Sequence, residues 1–165
     1  MSPVTPEAFR TLFKTHAASV SIVTTMDNSI PIGFTLTSVS SVSADPPIVA
    51  FSVMETSSCW PAISRAETVV VHFLDEDQLQ LAQRFATSGI DRFDGVDWDQ
   101  LPGGAPRLRA VRRWAPCRIM MRHPAGASRV ILASLGPPVV EPGPGPLLYL
   151  GRGYRKLDRE IPHAC

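Results

Sequence analysis

Short stretches of alternating or β-branched apolar positions run along most of this chain, separated by turn residues. Ser19 to Thr25 (SVSIVTT) alternates and is β-branched, which predicts a strand. Met26-Asp27-Asn28-Ser29 has turn chemistry, and Ile30 to Phe34 predicts the returning strand. Ile48 to Val53, Ala115 to Arg122 and Ser128 to Leu135 predict three more, the last two joined by Pro124-Ala125-Gly126-Ala127. Thr68 to Leu74 (TVVVHFL) is almost wholly apolar, the mark of a buried central strand. His72 inside it reads as a core histidine with its polar atoms satisfied. Leu147 to Leu150 predicts a last short strand.

Helical periodicity is confined to a few segments. Thr5, Pro6 and Glu7 are an N-cap, a first-turn proline and an acidic first turn. They open a helix with Ala8, Phe9, Leu12 and Phe13 on one face. Asp75 or Glu76 starts a second helix, with Leu79, Ala82 and Ala86 at helical spacing, Leu81 and Phe85 beside them, and Gly89 just past its end. Ser57-Ser58-Cys59-Trp60-Pro61 reads as a loop entering a short helix, with Ser58 as N-cap. Ile90 to Pro106 is irregular. Pro137-Pro138 and Glu141 to Pro146 are stiff turns. Strands do not alternate regularly with helices, and prolines sit at strand ends. The predicted class is mainly β, an antiparallel barrel with a few flanking α-helices. The expected organisation is a single domain over residues 1–165.

The composition narrows the function. Of 165 residues, 44% are hydrophobic and 19% charged, enough for a real core. The net charge of +1 argues against a nucleic-acid surface. The densest basic run, Arg107 to Arg113, reads as a solvated face or a local anion contact. No apolar run reaches membrane-spanning length, and the N-terminus has no signal pattern, so no membrane partner is expected. Cys59, Cys117 and Cys165 are far apart and form no disulfide framework, which predicts a reducing cytoplasm. His163 and Cys165 are too few to make a metal site, and no metal is expected.

The stretch Gly33 to Pro47 (GFTLTSVSSVSADPP) is rich in hydroxyl side chains and poor in charge. It reads either as a loop that offers N–H and hydroxyl groups to a flat, polar-edged ligand, or as a Ser/Thr-rich edge strand with a turn. The chain has no GxGxxG after a strand, no GxxxxGK[ST], no GxSxG and no HExxH, so no residue is named for covalent or metal catalysis.

The order of these motifs resembles the short-chain flavin reductase family, the small reductase partners of two-component flavin monooxygenases. The residues that carry the likeness are SVSIVTT, GFTLTSVSSVSADPPIVAFSV, the Ser-rich turn into a helix, LAQRFA, Arg92-Phe93, APCRI and PLLYLGRGYRKL, from about Phe9 to Leu157. The resemblance implies an FMN-binding split β-barrel, a homodimer, and FMN or FAD in a groove near the subunit interface. It implies that Thr35, Leu36, Thr37 and Ser38 line the isoalloxazine edge. It implies that Ser52, Val53, Ser57 and Ser58 follow the ribityl chain to the phosphate. Arg92, with Phe93 beside it, belongs to the phosphate region. NAD(P)H is the implied hydride donor and a separate flavin-dependent monooxygenase the implied partner.

Elementary chemistry fits these assignments. Main-chain N–H groups and a threonine hydroxyl suit flavin nitrogen and oxygen acceptors without adding charge. Ser57, Ser58 and Arg92, with Arg84 in reserve, suit a phosphate. Each also has a plainer reading: the serines as helix caps, and Arg92 as a surface partner of Asp91 or Asp94. One motif departs from the family. Many members carry Gly-Asp-His where this chain has Gly126-Ala127-Ser128, with His123 on the other arm of the connection. Ser128 and Tyr154 are what remains on the nicotinamide side. The departure opens a second reading, a diverged barrel that has lost NAD(P)H oxidation and binds flavin or another small molecule.

Overall fold

The structure is a computed structural model that describes residues 3–158. His163 and Cys165 lie outside the described residues. Helix α1 (Pro6–Lys14) opens as expected, with the Thr5 hydroxyl accepting from the Ala8 N–H at 3.2 Å. Strand β1 (Ala18–Ser19) and β2 (Ser21–Asp27) divide the expected first strand at Val20, whose N–H donates to Leu147 while its carbonyl accepts from Leu74. Asn28 and Ser29 make a two-residue turn with φ of 47° and 67°, the twist a tight hairpin requires, into β3 (Ile30–Leu36). The hydroxyl-rich stretch then forms an edge strand, β4 (Ser40–Ala44), paired with β5 (Pro47–Met54).

Helix α2 (Trp60–Arg65) is followed by β6 (Thr68–Phe73), a turn of 3₁₀ helix over Glu76–Gln78, and α3 (Leu79–Ala86). The expected irregular region contains a short hairpin, β7 (Trp98–Gln100) against β8 (Pro106–Leu108). Strand β9 (Arg113–Ala125) and β10 (Ser128–Leu135) turn on Gly126 and Ala127 alone, so Pro124 and Ala125 belong to the strand. Short β11 (Val139–Val140) pairs with β9. The chain closes with β12 (Leu148–Leu150) and β13 (Gly153–Arg155), which form a three-stranded sheet with β1.

The main sheet runs β3-β2-β6-β9-β10-β5-β4, antiparallel at every pairing. It curls so that Val23, Phe34, Leu36, Val49, Phe51, Val53, Val69, Val71, Cys117 and Ile131 share one interior. Cys59, Ile63 and Ala66 of α2 and its flanks plug that interior. The two ends of the strand path, β3 and β4, are joined by residues 37–39. There the Ser38 hydroxyl accepts from the Ser52 N–H at 3.0 Å and donates to the Ser52 carbonyl at 3.3 Å, a side-chain substitute for a strand pair across the seam.

A second apolar cluster lies outside the barrel. Val20, Ile22, Leu74, Ala82, Phe85, Phe93, Leu108 and Leu147 pack there, so β2 and β6 are covered on both faces. That is why TVVVHFL reads as a continuous apolar run. His72 belongs to this layer and is fully buried. Its Nδ1 lies 3.2 Å from the Ile22 carbonyl and its Nε2 accepts from the Leu108 N–H at 3.0 Å, which makes Nδ1 the protonated nitrogen. Burial pushes its pKa down to about 3.

Candidate functional site

Among the described residues strand β3 pairs only with β2, so alternate residues turn their N–H and C=O groups to an edge left open there. Gly33 is in that phase, since its carbonyl accepts from Arg92 at 2.9 Å and from the Cys59 thiol at 3.6 Å. Thr35, two residues on, presents its main chain to the same edge by the strand's period. Glycine is required at 33 for another reason. A Cβ there would stand 2.6 Å from the Phe85 ring, so α3 packs directly on the strand. The Thr35 hydroxyl donates to the Ala82 carbonyl of α3 at 2.7 Å and is spent on holding that helix.

Beyond Gly33 lies a cavity of about 440 Å³ bounded by the start of β3, Ser58, Cys59 and the segment Gly89–Phe93. Arg92 spans its wall. Its Nε donates to the Thr87 carbonyl at 2.8 Å, and its Nη1 donates to the Gly33 carbonyl and lies 2.8 Å from the Cys59 sulfur. All three acceptors are uncharged. The Asp91 carboxylate also lines the cavity, but its Oδ1 accepts from the Phe93 N–H at 2.9 Å. Arg84 reaches from α3 to the carbonyls of Arg92 (2.9 Å), Asp91 (3.2 Å) and Asp94, and pairs with the Asp94 carboxylate. Arg84 therefore orders the turn that carries Arg92, and neither aspartate takes the Arg92 charge. The Ser57 hydroxyl accepts from the Cys59 N–H at 3.3 Å, while Cys59, not Ser58, holds the N-cap position of α2. The Ser58 side chain is left exposed beside the cavity.

The residues singled out in the sequence thus fall at several separate places. Ser58 and Arg92 meet at the cavity, with Ser57 one residue away. Thr37, Ser38 and Ser52 lie farther along the β3–β5 seam, about 16 Å from Gly33 to Ser38 at strand spacing. Leu36 and Val53 point into the barrel and Phe93 packs edge-on against Phe85, so these three offer only main chain outward. Ser128 stands apart at the β9–β10 turn, opposite Met54, and the nearby Arg129 pairs with Glu55 at 2.5 Å. Tyr154 is on the three-stranded sheet against Tyr149, its hydroxyl pKa raised by burial. Among the described residues no contact joins Ser128 to Tyr154.

Arg84, held in reserve for a phosphate from the sequence, is instead spent on main-chain carbonyls and the Asp94 carboxylate. Cys59 had no role assigned from the sequence. Cys59 carried no sequence cue, because its partners are 26 and 33 residues away.

The barrel, its open β3 edge and this arginine-lined corner define a flavin reductase-like fold. Residues 13–158 match the flavin reductase like domain, and the chain belongs to that family. Among its relatives, an NADH:FMN oxidoreductase of Rhodococcus qingshengii is 40% identical over 125 residues, covering 75% of this chain and 65% of that protein. The reductase subunit of a flavin-dependent monooxygenase from Rhodococcus jostii is 34% identical, over 74% of this chain and 63% of that protein. The crystal structure of a flavin reductase domain protein from Arthrobacter sp. FB24 superposes with a TM-score of 0.88 at 38% identity, covering 95% of this chain and all of that one.

Proposed function

We propose that this chain is a flavin reductase that uses NADH to reduce FMN and releases the reduced flavin to a separate monooxygenase. The observation that carries the reading is Arg92, a guanidinium in a cavity wall with three neutral acceptors and, among the described residues, no carboxylate partner. A charge so placed suits a phosphate, with Ser58 beside it. The Rhodococcus relatives, one an NADH:FMN oxidoreductase and one a monooxygenase reductase subunit, support the donor, the flavin and the partner.

Flavin, when bound, supplies the hydride-accepting chemistry. The chain's own residues hold and orient it. Arg92 and Ser58 bind the phosphate of FMN or the pyrophosphate of FAD. The outward main chain of β3 at Thr35 and the turn at Thr37 and Ser38 offer uncharged donors to the ring edge, as the family resemblance implies. Donors fixed by a strand and a seam need no rearrangement as negative charge develops on the ring. No side-chain acid or base is required for a hydride to move.

Homodimerisation is supported by apolar side chains exposed on the outer sheet, Val42, Met54 and Met121, and by the uncovered Phe9 and Leu12 of α1. Sedimentation should show a dimer, and a monomer at micromolar concentration would remove that part of the proposal. A cytoplasmic setting is supported by Cys59 and Cys117, both free and buried. Among the described residues no helix is long and apolar enough to cross a membrane.

The second reading, a barrel that keeps flavin and has lost hydride transfer, is favoured by one observation. The Gly126-Ala127-Ser128 turn carries neither acid nor imidazole, and the neighbouring Arg129 is taken by Glu55. Steady-state NADH oxidation with FMN separates the two. Turnover supports the reductase, and flavin binding with no loss of NADH absorbance supports the second reading.

A further inference from the structure

The Cys59 thiol is 3% exposed, yet it touches a charged group. It lies in the barrel core on one side, among Phe34, Val53 and Ile63. On the other side it closes a triangle. The thiol donates to the Gly33 carbonyl at 3.6 Å, Arg92 Nη1 donates to the same carbonyl at 2.9 Å, and Nη1 lies 2.8 Å from the sulfur. The Nε–H is taken by Thr87 at 2.8 Å. Among the described residues only Nη2 has no acceptor, and Arg92 lines the cavity. The guanidinium is rigid and planar, so fixing Nε and Nη1 fixes the direction of both Nη2 hydrogens.

We propose that Cys59 is a positioning residue for flavin phosphate, holding the Arg92 fork so that its free edge is already aimed at the anion. The inference rests on the phosphate reading of this corner and adds the group that sets its geometry. A thiol suits the place because it behaves as a small apolar side chain toward the barrel while its sulfur still accepts a hydrogen bond. Without it, Nη1 keeps only the Gly33 carbonyl, so Arg92 retains its charge but is held less tightly, and binding must then restrict the added motion.

The test compares FMN with riboflavin, which lacks the phosphate, by quenching of flavin fluorescence in the full chain. Wild type should bind FMN more tightly. Cys59→Ala should weaken FMN about tenfold with riboflavin unchanged, and Cys59→Val, which fills the space without an acceptor, should do the same. Cys59→Ser should restore FMN binding to within about twofold of wild type, because a hydroxyl accepts the same bond. In an Arg92→Ala background, Cys59→Ala should add no further loss. Equal weakening of both ligands, or no change in either, overturns the role of Cys59 and leaves the phosphate reading standing. Equal wild-type affinity for FMN and riboflavin overturns both. Thermal unfolding of each variant identifies any that fail to fold, and either non-accepting substitution alone decides the outcome.

Discussion

Two arginine-rich corners of this molecule treat charge in opposite ways. On the outer face, Asp75 is fully buried and receives Arg112 at 3.1 Å and Arg113 as well, while Arg112 also grips Asp77 at 2.8 Å. Gly143 lies so close to the Asp75 carboxylate that a Cβ there would stand 2.4 Å from Oδ2, and Glu76 N–H donates to Gly145 at 2.9 Å. That cluster pins the proline-rich segment to the start of the 3₁₀ turn, where Asp75 and Gln78 form a reciprocal cap. At the other corner, Arg92 is held as firmly but, among the described residues, by neutral acceptors alone. Opposite charges satisfied internally build structure, and a charge left over beside a cavity is available to a ligand.

Removing the structural side of this contrast should have the largest effect. Asp75→Ala leaves two guanidinium groups without their buried partner and a capping box broken. We expect a loss of about 3 kcal/mol in urea unfolding, the low end for a broken buried pair because both arginines reach water. Flavin affinity of the folded fraction should not change. A loss below about 1 kcal/mol would mean that the cluster contributes little.

His72 tests the same layer by pH. Its folded pKa of about 3 lies below the ordinary 6.5, so between those values the unfolded chain binds the proton and the native state does not. Its contribution is therefore complete above pH 6.5 and is lost as pH falls. The expected slope is about 1.4 kcal/mol per pH unit, or roughly 2 kcal/mol between pH 6.5 and about 5, above the aspartate range. His72→Gln should flatten that slope. At lower pH, Asp77 and Asp99, whose pKa values are held down chiefly by hydrogen bonds from Arg112 and Arg109, add a further loss as they protonate.

Ser38→Ala gives a smaller effect. It removes two bonds to Ser52 at the seam and should cost about 1 kcal/mol, read by urea unfolding. An unchanged midpoint would show that residues 37–39 do not need the seam.

Much of this architecture was legible along the chain, because the signals were local. TVVVHFL, the Thr5 cap, the turn within Met26-Asp27-Asn28-Ser29 (of which Met26 and Asp27 prove to be strand) and the hairpin of β9 and β10 each follow from neighbouring residues. His72 was also readable as a core residue. The β7–β8 hairpin was not, since its three-residue strands carry no alternation and Gly103-Gly104 suggested irregular chain. The hydroxyl-rich stretch divided into an edge strand and a seam because its serines satisfy a strand edge that faces solvent. Ser58 and Arg92, singled out through family motifs, do come together at one cavity. The site was not legible where it depends on the register of β3 against α2 and α3, which brings Gly33 and Cys59 to the Arg92 guanidinium and Arg84 to the carbonyls of the turn that carries it. The basic run was legible as a solvated face or a local contact with anions. In the fold those anions are Asp75, Asp77 and Asp99.

The central claim is that Arg92 holds charge in reserve for a flavin phosphate. Its most direct test is the affinity of wild type and Arg92→Ala for FMN and for riboflavin, titrated side by side. Arg92→Ala is expected to lose at least about tenfold toward FMN, the worth of a charge-assisted hydrogen bond, and nothing toward riboflavin. The same affinity for FMN in both proteins, or a parallel loss toward riboflavin, would contradict that claim.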